Sequence, residues 1–303
     1  MGWGKFLSFI FILFSISLLV FYWFIPFNSV EFGIKSKDSN FNIGNSSTKD
    51  MQFYDNMRYP SKEISYKIYE CPLQKKENMN EAFEIVSNIS ILEFYSVDSK
   101  EDISVTCDSK NKIKEGLFIA GEGGPTNITK TDKFNVISHG SILLIKKSLC
   151  SKPNVAIHEV FHTLGFDHSK NPRNIMYNVS RCNQVIGNDT INLINELYSS
   201  PSYSDLDFEN VSAKMNGRYL DIDMSIRNNG LKESEDTKII VYVDKKQIKE
   251  INLESMEVGF GRVITFTNIW VSKINVEKIE FLINSSFNEL EKENNRVILE
   301  IKK

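Results

Sequence analysis

Three of the four histidines in this 303-residue chain fall within one stretch, His158-Glu159-Val160-Phe161-His162-Thr163-Leu164-Gly165-Phe166-Asp167-His168, and Met176 follows shortly after. Two histidines four residues apart on a helix project from one face, a turn apart, so both imidazoles can reach a single metal ion. Glu159 points off that axis, where its carboxylate can meet a water on the metal without becoming a ligand. A third ligand three residues past Gly165 requires the chain to leave the helix and double back. Glycine takes the positive φ of a helix C-cap without steric cost. Three imidazoles and a water complete a tetrahedral zinc shell with one exchangeable position, which separates a catalytic zinc from a structural one. The competing reading is an amphipathic helix whose polar face happens to hold a His-Glu-x-x-His string. It leaves Gly165, His168 and Met176 at their offsets unexplained.

The chemistry of such a group is hydrolysis. Zinc brings the pKa of a bound water to about 7 and polarises a carbonyl, while a carboxylate placed like Glu159 takes the proton and returns it to the leaving amine. One catalytic zinc ion is expected, with His158, His162 and His168 as ligands and Glu159 as the acid-base.

The extended pattern H-E-x-x-H-x-x-G-x-x-H followed by a methionine resembles the metzincin metallopeptidases, matrixins among them. The resemblance implies an α+β catalytic domain, a mixed twisted sheet with an active-site helix, acting on protein or peptide substrates. It also implies that Met176, in Asn174-Ile175-Met176-Tyr177, forms the tight turn beneath the metal. Some metzincins place a tyrosine two positions after that methionine; here the position is Asn178, and the tyrosine is Tyr177. The Arg-Cys-Gly context by which most matrixins silence their zymogens has no match before residue 150.

The elements that must position this group are expected upstream and just downstream. Residues 63–69 alternate apolar with polar, 81–89 have helical spacing, and 91–97, 103–107 and 141–145 read as strands. The helix carrying His158 and His162 runs over about 152–164, with Pro153 in its first turn, where a missing amide proton does no harm. The resemblance implies an edge strand ahead of this helix that pairs with extended substrate, and 134–144, interrupted at Ser138-His139-Gly140-Ser141, is the candidate. His139, outside the motif, reads as a loop or cleft-wall residue. Residues 187–198 form a last helix under the methionine turn, and the catalytic domain spans 61–201.

Four cysteines, Cys71, Cys107, Cys150 and Cys182, show no C-x-x-C spacing and suit an exported protein with disulfides. Three pairings exist in principle, and sequence alone does not choose among them. In the metzincin topology the strands ending at Cys71 and Cys107 are neighbours, which suggests one bridge. Cys150 and Cys182 flank the catalytic helix and the methionine turn, which suggests another.

Residues 6–25 carry no charge and, as a helix, span about 30 Å, one bilayer core. The favoured reading is a single-pass transmembrane anchor over residues 1–27, with the amino terminus inside and the catalytic domain outside the cell membrane; a cleaved signal peptide, leaving a secreted protein, competes with it. Residues 28–60, rich in Asn, Ser, Lys and Asp, read as a flexible linker, with a short propeptide as the competing assignment.

From 202 to 303 the pattern changes to short alternating strands at 220–226, 238–243, 247–253, 263–270, 278–283 and 296–301, an all-β antiparallel sandwich. Arg227-Asn228-Asn229-Gly230 reads as a turn whose residues tolerate positive φ. Together with Glu289-Leu290-Glu291-Lys292-Glu293-Asn294-Asn295 it resembles the immunoglobulin-like CARDB class of cell-surface modules, a resemblance that implies a spacer or an adhesion unit with a cell-surface partner. Glu289, Glu291 and Glu293 read as a solvated turn in preference to a calcium site. A net charge of −3 offers no basic footprint for nucleic acid. Two functions follow: a membrane-anchored zinc endopeptidase outside the cytoplasm, or an inactive zinc-binding surface adhesion protein. The intact Glu159 favours the first.

Overall fold

A computed structural model describes residues 2–23, 29–37, 51–110, 113–114, 117–146, 148 and 150–302. Helix α1 (Trp3–Trp23) comes first, followed by strand β1 (Ser29–Lys37). The next unit holds β2 (Met57–Arg58), β3 (Glu63–Ile68), α2 (Leu73–Ile89), β4 (Glu93–Ser96), β5 (Ile103–Cys107), the short pair β6 (Ile113–Lys114) and β7 (Leu117–Phe118), β8 (Gly121–Lys130), β9 (Asn135–Leu144), α3 (Asn154–Thr163) and α4 (Asn188–Ser199).

Its sheet runs β2-β9-β5-β3-β4 with parallel pairings, and β8 adds to β9 antiparallel. Helix α2 presents Met79, Ala82, Phe83 and Val86, one helical stripe, to Ile64, Ile103, Val105, Ile142 and Leu144 of the sheet. Ile157, Val160 and Phe161 of α3 join the same core. Arg58, 1% exposed, donates from its guanidinium to the carbonyls of Tyr59, Pro60, Leu197 and Ser200 and lies 4.4 Å from the Tyr198 ring. A fork of five donors suits carbonyl acceptors at the end of a helix, and this one ties β2 to α4.

The strand expected at the substrate edge is placed differently. β9 runs unbroken through Ser138-His139-Gly140-Ser141 as an interior strand, and β8 forms the edge beside it. Gly121-Glu122-Gly123-Gly124-Pro125 lacks the apolar alternation by which a strand is read, and its proline is tolerated because an edge strand needs fewer amide donors.

The C-terminal unit is antiparallel: β10 (Leu206–Asn216), β11 (Tyr219–Asn228), β12 (Thr237–Val243), β13 (Lys246–Leu253), β14 (Gly261–Trp270), β15 (Lys278–Ile283) and β16 (Arg296–Ile301). The strand order is β13-β12-β15-β16-β1-β10-β11-β14. Phe208 of β10 meets Phe281 of β15 with ring centroids 6.3 Å apart, so the two halves of this order face each other across one core.

β1 departs from the linker expected over 28–60. It pairs with β10 from Ser29–Asn216 to Phe32–Ala213 and with β16 from Phe32–Ile301 to Lys37–Val297. Its Phe32 is 1% exposed in the core, and Val30 packs against the same cluster. Val30, Phe32 and Ile34 alternate with polar residues, a pattern too short to stand out in a polar stretch. The remainder of that stretch up to residue 50 lies outside the described residues.

Two further expectations are corrected. Asn228 and Asn229 are fully buried, and positive φ falls instead on Asp244 and Lys245 in the β12–β13 hairpin and on Asn268 of β14. Asn228 accepts from the amides of Asp205 and Gly230 and donates to the carbonyls of Lys232 and Met256. Gly230 is required by close approach, since a Cβ there would lie 2.5 Å from the Asp205 nitrogen. Glu289 and Glu291 are buried as well: Glu289 accepts from the Leu206 amide and Asn295, and Glu291 from Lys133.

The two units meet at the β8–β9 turn. Phe134 and Val136 pack against Leu231, Val258 and Leu290. The Lys133 ammonium reaches Asp205 and Glu291, the Asp132 amide donates to Asn229, and Arg227 donates to the Lys130 carbonyl.

Candidate metal centre

α3 ends in the geometry that its sequence demands. The Gly165 amide donates to the His162 carbonyl and the Phe166 amide to the Phe161 carbonyl, while the Phe161 and Phe166 rings meet edge-on at 5.8 Å. This is the Schellman closure with its hydrophobic contact. Gly165 has φ +91°, and a Cβ on it would lie 2.5 Å from the Met57 sulfur. The chain thereby turns back and brings His168 beside the helix: ligand nitrogens of His158, His162 and His168 all lie within 4.8 Å of one another.

The ring nitrogens are sorted by their second partners. His158 Nδ1 lies 2.7 Å from the Ile175 carbonyl and His162 Nδ1 2.7 Å from the Phe166 carbonyl. A carbonyl only accepts, so both Nδ1 atoms carry the proton and both Nε2 atoms keep a lone pair. Burial pushes the His162 pKa down to about 3 and lowers that of His158, so both rings are neutral near pH 7. His162 Nε2 and His168 Nε2 stand 3.2 Å apart. Three imidazole nitrogens within 4.8 Å of one another suit a zinc ion, whose preferred ligands include imidazole.

Met176 is buried in the tight turn that follows. The Asn174 side chain accepts from the Met176 amide, Tyr177 closes the turn onto the Asn174 carbonyl, and the Ser169 amide donates to the Met176 carbonyl. The turn therefore holds His158 through Ile175 and the segment carrying His168 through Ser169.

Residues 58–199 match the family model described as Matrixin, of peptidase group M10, and residues 205–298 match that of CARDB. Residues 58–199 form a matrixin domain. The family points to a zinc metallopeptidase acting on protein substrates. A similar solved structure is the CARDB domain of the PF1109 protein from Pyrococcus furiosus, in complex with di-metal ions; it is 18% identical, the match covers 33% of this chain and 88% of that one, and the TM-score is 0.28. No curated protein matches the chain significantly.

In the matrixin domain the cleft is lined by His158, Glu159, His162 and His168 on one side and by Gly121, Glu122 and Gly123 of β8 on the other, about 650 Å³ in all. Glu159 is 4% exposed, and burial, with a smaller push from Glu122, raises its pKa to about 8. The glycines of β8 let the strand close over it. A Cβ at Gly121 would lie 2.7 Å from Glu159 Oε1, and one at Gly123 2.6 Å from the Glu159 carbonyl oxygen. Sequence reading missed β8 and Glu122, and the glycine-x-glycine spacing was the signal available. It also missed Phe53, whose ring stacks at 5.7 Å on His162.

Tyr177 and Asn178 line the same cleft. His139 stands apart, with Nδ1 2.8 Å from the Thr126 hydroxyl on the β8–β9 pair. Disulfides join Cys71 to Cys107 and Cys150 to Cys182, with Cα atoms 5.2 and 5.1 Å apart. The first staples the start of α2 to the end of β5. The second ties the segment before α3 to the loop after Met176, and Asn154 reinforces it by donating to the Arg181 carbonyl.

Proposed function

We propose that the protein is a membrane-anchored zinc endopeptidase working outside the cytoplasm, with one zinc ion on His158, His162 and His168 and Glu159 as the general base. The observation that carries the reading is the buried Glu159 carboxylate, one residue from His158 and covered by Gly121 and Gly123. A carboxylate whose proton affinity is raised into the neutral range can hold a proton and give it up again. A bound zinc ion would supply an acidified water and polarise the scissile carbonyl. Glu159 takes the proton from the attacking water and delivers it to the leaving nitrogen. β8 presents its outer edge beside the cleft, where an extended peptide can add as a further strand, with Glu122 beside the scissile region.

α1 supports the anchor. Its 21 residues are long enough for a bilayer core, and an apolar window over most of it carries no burial within the protein. If the segment is instead cleaved as a signal peptide, the cut must spare β1, whose Phe32 belongs to the C-terminal core. The C-terminal unit reads as an immunoglobulin-like sandwich available to a cell-surface partner.

Zinc content and cleavage of quenched-fluorescent peptides by the full chain, beside Glu159→Gln, test the reading. One zinc per chain, with chelator-sensitive cleavage lost in Glu159→Gln, is the expected result. Bound zinc without cleavage would leave the inactive surface-binding protein, and a chain that binds no zinc would overturn both.

A further inference from the structure

β1 follows α1 in sequence yet is an interior strand of the C-terminal sheet, so the span is fastened to that sheet and not directly to the matrixin domain. Only residues 24–28 lie between Trp23 and Ser29, and that length of chain reaches at most about 20 Å. Ser29 pairs with Asn216, which places the β10–β11 turn at the end of the sheet nearest the span. The pairings Phe32–Ile301, Lys278–Glu300 and Val243–Ile279 bring the β12–β13 hairpin to the same end.

This end has the side chains of a membrane interface. Tyr219 and Trp270 are cross-strand partners and are 49% and 60% exposed. Beside them stand Arg218, which donates to the Ser272 carbonyl, and the exposed Lys245 and Lys246 of the hairpin tip. Of the acidic groups near this end, Asp244 binds Lys273, Asp221 accepts from Asn216 and from the Asn268 amide, and Glu31 meets Lys302, while Glu277 is exposed. Amphipathic rings settle at the headgroup layer, and lysine and arginine face its phosphates.

The opposite end of β10 begins next to Asp205, which clamps Lys133 of the matrixin domain. An 11-residue strand is about 35 Å long. We propose that the C-terminal domain is a rigid stand-off: its Arg218, Tyr219 and Trp270 end beds into the phospholipid headgroup layer, and its Asp205 end holds the cleft about 35 Å away. The proposal rests on α1 being an uncleaved span. Its consequence is a preference for protein segments that project from the membrane over those lying against it.

The test uses the full chain in vesicles containing phosphatidylglycerol, with one tryptophan kept at a time. Trp3→Phe with Trp23→Phe leaves Trp270, and Trp3→Phe with Trp270→Phe leaves Trp23. Headgroup-spin-labelled lipid should quench Trp270 as strongly as it quenches Trp23, and neutron reflectometry in a supported bilayer should place the matrixin domain about 35 Å beyond the headgroups. Trp270 unquenched while Trp23 is quenched, or matrixin density against the headgroups, overturns the stand-off and leaves the anchor standing. Loss of the Trp23 segment from the mature chain by mass spectrometry removes the anchor and the stand-off together.

Discussion

Lys133 and Asp205 meet at 2.8 Å across the boundary between the two domains, with side chains 10% and 0% exposed, and Glu291 meets the same ammonium at 2.8 Å. One cation thus holds two buried carboxylates. Burial raises the Asp205 pKa, and Lys133 opposes the rise. Removing the ammonium takes the shared cation from two buried carboxylates, so Lys133→Ala should cost about 3–5 kcal/mol. Denaturant unfolding of the two chains side by side measures it, and a loss under about 1 kcal/mol would show that the clamp contributes little.

Gly121→Ala should leave zinc bound and impair the chemistry. The added Cβ meets Glu159 Oε1 and pushes the carboxylate aside, while the histidines are untouched. The expected signature is a fall in kcat of roughly 100-fold with zinc content unchanged. Unchanged kcat would detach Glu159 from the proton transfer.

Gly165→Ala should weaken the metal centre through the backbone. A side chain at φ +91° costs about 1–2 kcal/mol, and its Cβ strikes Met57 as well. His168 is carried by the chain that follows, so competition with a zinc chelator should show weaker binding, together with a lower unfolding midpoint.

In the zinc-free protein, Glu159→Gln should be stabilising, and the gain should depend on pH. The folded pKa of about 8 lies above the ordinary value of 4.5, so wild-type stability is fully present below 4.5 and falls as pH rises toward 8. The amide does not titrate. The difference in unfolding midpoint between variant and wild type, measured with chelator present, should therefore grow from pH 5 to pH 8 and then level off; a constant difference would contradict the burial of the charge.

What could be read in the sequence is local. His158, His162, Gly165, His168 and Met176 are separated by offsets that a helix, a C-cap and one tight turn convert directly into geometry, so spacing alone announces the chemistry. Strands such as Ile103–Cys107 and Lys278–Ile283 carry apolar alternation and are legible for the same reason.

The tertiary structure decided what depends on neighbours distant in sequence. β8 is a strand because β9 supplies its hydrogen bonds, and its glycines matter because Glu159 lies beneath them. β1 is a strand because β10 and β16 leave a slot that Phe32 fills. Glu291 reads as a solvated charge until Lys133, 158 positions away, comes to lie against it. Such pairings are fixed by burial and hydrogen-bond satisfaction in the assembled core, where a polar group's meaning depends on its partner and not on its place in the chain.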